Sequence, residues 1–226
     1  MEKVSIKDQF RNWASKVGKK RRQAYLQKKR GQLKNPNPTI IANNCIGGII
    51  YHDLGLPFSS PTINLFMLTQ DFGRFLNRLE EYLQCELFDV TQEDAQFPVG
   101  ELRLDQETVR IYFMHYETFA EAKEKWVERC RRVDMDNLYV VFLNMRLTHP
   151  FQETYVVFRN LPYKNKVMLT RPIGIWDRKV VPFFSKRLTK PGKMLEYPSP
   201  FSKKRYMDRC NFVKFLNRGY TDKKTP

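Results

Sequence analysis

Residues 39–52 read Thr39-Ile40-Ile41-Ala42-Asn43-Asn44-Cys45-Ile46-Gly47-Gly48-Ile49-Ile50-Tyr51-His52. The first four predict a short buried strand, because they are mostly apolar, partly β-branched and bounded by turn residues. Asn43 to Gly48 predict a tight turn, and Ile49 to His52 carry on as helix. Two adjacent glycines permit close packing or unusual backbone angles where strand gives way to helix. That strand–turn–helix order sets the pattern for the rest of the chain.

Downstream, Leu56 to Thr62 form a Pro/Ser-rich loop and residues 63–68 an apolar stretch. Phe72, Phe75, Leu76, Leu79 and Leu83 recur at helical spacing, with Asp71 favouring the amino end. A second helix opens on Thr118-Phe119-Ala120-Glu121, a capping-box pattern, and buries Phe119, Ala122, Trp126, Cys130 and Val133. Strands are predicted at 97–104, 109–114, 138–143 and 166–170, with a helix at 151–159 before the last. Strands alternating with helices imply an α/β fold: three layers, a mainly parallel sheet with helices on both faces.

The formal net charge of +16 is segregated. Residues 1–38 and 176–226 each carry +10, whereas 39–175 carry −4. This divides the chain into a basic amphipathic N-terminal helix (1–38), an α/β core (39–175) and an irregular basic C-terminal extension (176–226) that ends in a short helix near 203–215. Ile6, Phe10, Trp13, Ala14 and Val17 give the N-terminal helix one apolar face, and Asn35-Pro36-Asn37-Pro38 ends it. Such a helix either docks on its own domain with solvated lysines, lies on an anionic membrane, or meets RNA. Docking is the leading reading.

Ligands of open α/β sheets bind beyond the carboxyl ends of the strands. There the sequence places Asn43, Asn44 and Cys45, then His115 and Glu117, then Asn144, Arg146 and His149, then Arg171. A thiol at a helix amino end has its pKa lowered by the dipole, and the Ile46 or Gly47 N–H would hold an oxyanion. Cys45 is therefore a candidate nucleophile, with His115 as base and Glu117 or an Asn orienting it. The competing reading is a small apolar residue filling a tight turn. Gly47, Gly48, His52, Ser59 and Ser60 complete the candidate ligand contacts, although Pro57 and Pro61 explain the serines as turn chemistry. Lys125, Arg129 and Arg132 read as a solvated face of the second helix rather than a phosphate clamp.

Several classes are excluded. No apolar run of 18 residues and no signal core occur, which speaks against an integral membrane or secreted protein. The glycines lack both the phosphate-loop ending and the GxGxxG spacing. Asp134 and Asp136 flank Met135 in what reads as a solvated turn, so no metal site is assigned. The four cysteines are widely spaced without a CxxC pair, and read as reduced thiols of a cytosolic protein.

Residues 41–48 and Ser59-Ser60-Pro61-Thr62-Ile63-Asn64-Leu65 resemble an uncharacterised bacterial family found in capsular and exopolysaccharide biosynthesis loci. Pro98-Val99-Gly100, His115-Tyr116-Glu117-Thr118-Phe119, Lys125-Trp126, Arg129, Arg132, Asp136-Asn137-Leu138 and Asn160-Leu161-Pro162-Tyr163 resemble it too. The likeness covers roughly residues 39–175. More distantly, Asn44-Cys45 is similar to the Gly-Asn-Cys turn of Cys-containing acyltransferases, with Asn43 in place of the glycine. Related hydrolases carry an Asp three residues before a late His, where this chain has Arg146 before His149.

The resemblance implies a transferase acting on a sugar or lipid-linked glycan, Cys-dependent for acyl or other group transfer, with its cofactor unspecified. The alternative is a non-catalytic module binding an anionic glycan or membrane surface. No specific nucleic-acid partner is expected, and the expected location is the cytoplasm, with the inner membrane face as the surface that suits the basic ends.

Overall fold

The computed structural model describes residues 6–144, 151–170, 174–182, 191–199 and 201–218. Four parallel strands form the main sheet in the order β1 (Thr39–Ala42), β5 (Leu138–Asn144), β6 (Lys166–Thr170), β7 (Val180–Pro182). Three antiparallel strands, β2 (Leu87–Asp89), β3 (Val99–Leu104) and β4 (Glu107–Tyr112), make a separate small sheet. The helices are α1 (Ile6–Gly31), α2 (Ile46–Leu54), α3 (Thr69–Asn77), α4 (Leu79–Tyr82), α5 (Phe119–Cys130), α6 (Phe151–Asn160) and α7 (Phe212–Leu216). The mixed α/β fold with a mainly parallel sheet is as the sequence implies.

The main sheet separates two cores because successive side chains of a strand face opposite ways. Ile41, Val140, Phe142 and Met168 point to one side, where Phe72 of α3 and Phe158 of α6 meet Phe142 edge-on at 5.3 and 6.1 Å. Ile40, Val141 and Leu169 point to the other, against Ile50 and Tyr51 of α2 and Met194, Met207, Phe212 and Leu216. The segment after 175, read as an extension, thus adds β7 to the sheet and buries apolar side chains in this second core.

One placement differs from the sequence reading. The 109–114 strand lies outside the parallel sheet, as β4 of the small antiparallel one. Its buried Val109, Ile111 and Phe113 alternate with Arg110 and Tyr112, the one-faced pattern of an antiparallel strand. The small sheet still reaches the main one, because Phe66 pairs with Tyr112 while Met67 N–H donates to the Asn43 carbonyl at 3.0 Å.

Strand β1 lies at the edge of its sheet, and side chains satisfy its free amides. Ile40 N–H donates to the Tyr51 hydroxyl (2.7 Å) and Ala42 N–H to Thr62 Oγ1 (3.0 Å). Tyr51 in turn donates to the Pro38 carbonyl at 2.8 Å.

Helix α1 docks through its carboxyl half. Arg22, 5% exposed, pairs with Asp53 of α2 at 2.5 Å and with Asp208, while Arg205 reaches Asp53 at 3.4 Å. Arg30 Nε donates to the Asp53 carbonyl at 2.9 Å. These contacts clamp the carboxyl end of α2 to both basic termini. No helix among the described residues is long and apolar enough to cross a membrane.

Candidate functional site

At the carboxyl end of β1, Asn43 is buried and its amide spans the adjacent strand. Asn43 Nδ2 donates to the Leu143 carbonyl (3.0 Å), and Oδ1 accepts from the Leu143 N–H (2.8 Å). One side chain thereby continues the β1–β5 ladder past the last strand residue. Asn44 Oδ1 accepts the Ile46 N–H at 3.0 Å, which secures the first turn of α2. That commits one of the two amides expected to face an oxyanion. The Gly47 N–H has no acceptor among the described residues.

Cys45 is the residue before α2, with φ −59° and ψ −8°. Its half-buried thiol lies 3.9 Å from the Leu65 carbonyl, to which it donates, and 3.9 Å from Met114 Sδ. Burial pushes the thiol pKa up, and a backbone hydrogen bond offsets this only in part. The helix dipole alone would give the opposite sign. Desolvation wins here because Leu65 and Met114 pack over the sulfur, leaving the thiol protonated at neutral pH.

Two glycines shape the approach. A Cβ on Gly47 would stand 3.1 Å from Ala42 Cβ, so glycine lets α2 close onto β1. Gly48 faces Ile63 and the side-chain oxygen of Asn64. Asn64 is exposed and has φ +62°, a left-handed conformation in which Asn is several-fold enriched over most residues. Its neighbour is held from behind: Arg129 donates to the Tyr116 hydroxyl (2.7 Å), which donates to the Ile63 carbonyl (3.3 Å). Arg129 is therefore a positioning residue for this turn rather than part of a solvated face. Arg132 is tied to the same loop through the Phe58 carbonyl at 3.2 Å.

The remaining candidates divide. His115 and Glu117 are exposed on the turn after β4 and make no hydrogen bond among the described residues. Met114, which touches the Cys45 sulfur, brings that turn to the site. Asn144 ends β5 at the same edge, paired with Thr170. Arg146, His149 and Arg171 lie outside the described residues. His52 stands in the last turn of α2, its side chain 82% exposed, at the far end of the helix from Cys45. Ser59 and Ser60 are buried structural groups: Ser59 donates to Asn37 Oδ1, and Ser60 Oγ bonds Thr62 Oγ1 at 3.0 Å. Asp134 Oδ1 accepts the Asp136 N–H at 3.0 Å in a turn, and among the described residues no three His, Cys, Asp or Glu cluster as metal ligands.

Asn64 and Met114 are the residues the sequence reading passed over. The signal for Asn64 was an asparagine inside an otherwise apolar stretch after Pro61. Nothing in the pattern around Met114 pointed to sulfur–sulfur contact.

The chain belongs to a family described as a domain of unknown function, DUF1919, which matches residues 16–217. It is also 33% identical over 209 residues to a Haemophilus influenzae protein described as uncharacterized, spanning 92% of this chain and 98% of that one. Both matches run well beyond 39–175, into the basic α1 and into the C-terminal segment that closes the second core.

Proposed function

We propose that this family member is a transferase of surface-polysaccharide synthesis, moving an acyl group to a sugar or lipid-linked glycan at the carboxyl edge of β1. One observation carries the reading. The Cys45 thiol and the left-handed Asn64 flank the first turn of α2, where Gly47 offers an N–H without an acceptor among the described residues. This edge is where open α/β sheets hold their ligands. The polysaccharide class is carried over from the resemblance of the motifs at 41–48 and 59–65.

The resting thiol is protonated, so attack requires a base. We assign that role to His115, the exposed residue next in sequence to Met114, whose sulfur meets Cys45, with Glu117 to orient it. The thiol proton passes to His115 as sulfur bonds to the carbonyl carbon of an acyl ester or thioester, and the donor's alcohol or thiol leaves with that proton. A sugar hydroxyl then attacks the Cys45 thioester, giving its proton to His115, which returns it to the departing sulfur. The Gly47 N–H meets the developing oxyanion.

A second reading, a non-catalytic glycan-binding module, draws support from the thiol's hydrogen bond to the Leu65 carbonyl and its raised pKa. Intact-protein mass spectrometry after incubation with short acyl thioesters separates the two. The transferase reading expects one added acyl mass on Cys45, lost in Cys45→Ala and slowed in His115→Ala. Glycan binding that survives both substitutions, with no acyl mass on Cys45, favours the module.

A further inference from the structure

At the opposite end of the main sheet's strands from Cys45 lies a groove of different chemistry. It runs between the amino ends of β6 and β7 and helix α7, with a volume of about 170 Å³. Lys166, Arg178, Lys179, Lys214 and Arg218 line it, with no carboxylate among its lining residues. Arg178, Lys214 and Arg218 are exposed, and none of the five forms an ion pair among the described residues. The nearest acid in sequence, Asp177, is already engaged: it accepts the Tyr155 hydroxyl at 3.0 Å and the Lys179 N–H at 2.7 Å.

The groove's concave shape and the absence of a carboxylate from its lining make this more than a solvated charge run. Lys166 is 7% exposed and turned to the α6 face of the sheet, where its ammonium donates to the carbonyls of Arg159 (2.7 Å) and Leu161 (2.5 Å), so the groove's free cations are the other four. Burial and the charge of Lys179 lower the Lys166 pKa from the ordinary lysine value. A cleft lined by one sign of charge concentrates counter-ions. Arginine forks with lysine point charges are the combination that suits phosphate oxygens.

We propose that this groove binds a phosphoryl-bearing anion of one or two phosphates, held by Arg178, Lys179, Lys214 and Arg218. The phosphate belongs either to a soluble ester or to a lipid headgroup. The site is independent of the transferase reading, since it lies at the other end of the strands from Cys45.

Calorimetric titration of the full chain with inorganic pyrophosphate at low salt tests it. The groove variant is Lys214→Glu with Arg218→Glu. The control is Lys19→Glu with Lys20→Glu, an equal charge change at exposed positions of α1. Circular dichroism and thermal unfolding confirm that both variants fold. The expected result is saturable binding that weakens at least about tenfold in the groove variant and changes little in the control, as well as weakening with salt. Phosphatidylglycerol vesicles supply the second arm. Vesicle binding that pyrophosphate displaces assigns the headgroup, and pyrophosphate binding without vesicle binding assigns the soluble ester. Absence of pyrophosphate binding to the wild-type chain, or equal losses in groove and control variants, overturns the proposal.

Discussion

The two ends of α2 are built from opposite kinds of chemistry. At the carboxyl end the charges are paired: Asp53 takes Arg22 and Arg205, Asp208 takes Arg22, and Arg30 closes on the Asp53 carbonyl. At the amino end the groups are neutral and partly uncommitted, with a thiol on a carbonyl, a Gly47 N–H lacking an acceptor among the described residues and an exposed left-handed Asn64. A nine-residue helix is thus clamped at one end and available at the other. The clamp holds the α2 amino end at β1, and uncommitted polar groups are what a ligand requires.

Cutting the clamp gives the largest expected effect. Arg22→Met leaves Asp53 and Asp208 buried without their main partner, and urea unfolding is expected to show a loss of about 3–5 kcal/mol. A loss below about 1 kcal/mol would mean that the clamp does not hold the helix. At the other end, Asn43→Ala removes both side-chain bonds to Leu143 and is expected to cost about 2–3 kcal/mol in the same assay.

The thiols at the two ends sharpen the contrast through pH. Cys210, near the clamp, is buried, and desolvation followed by the Asp208 charge raises its pKa from 9.0 to about 12. The folded chain keeps a proton that the unfolded chain releases above pH 9, so stability is lost as pH rises through the window from 9 to about 12. By about pH 9.5 the loss relative to about pH 7 is about 1 kcal/mol, and Cys210→Ala is expected to abolish that increment in urea titrations at the two pH values. The smallest effect belongs to Asn64. Asn64→Gly relieves the left-handed backbone while unfolded-chain entropy opposes it, so stability changes by less than about 1 kcal/mol. Acyl transfer to glycan is nonetheless expected to fall, because the side chain over Gly48 is gone.

The strand–turn–helix unit was legible because its signals are local: an apolar strand, Asn-Asn-Cys and two glycines. Membership of β4 in the parallel sheet was misread even though the pattern held the clue. The strand at Leu138–Asn144 is apolar almost throughout and buried on both faces, whereas 109–113 alternates. Strand β7 escaped notice because three residues ending in proline carry no periodicity. Arg22 was indistinguishable from its neighbours in Lys19-Lys20-Arg21-Arg22, since only packing against Asp53 and Asp208 singles it out. The placement of Asn43 and Cys45 at the carboxyl end of β1 was legible from position, but the sign of the Cys45 shift depends on Leu65 and Met114, which arrive from distant segments.

The account stands most directly on the accessibility of Cys45. Iodoacetamide alkylation of the folded chain, followed against pH and read peptide by peptide, measures it without knowledge of any substrate. The account predicts that Cys45 reacts well ahead of Cys130 and Cys210, both raised to about 12 by burial, with a rate that climbs only above the ordinary thiol pKa. A Cys45 as unreactive as Cys210 across that range would contradict it.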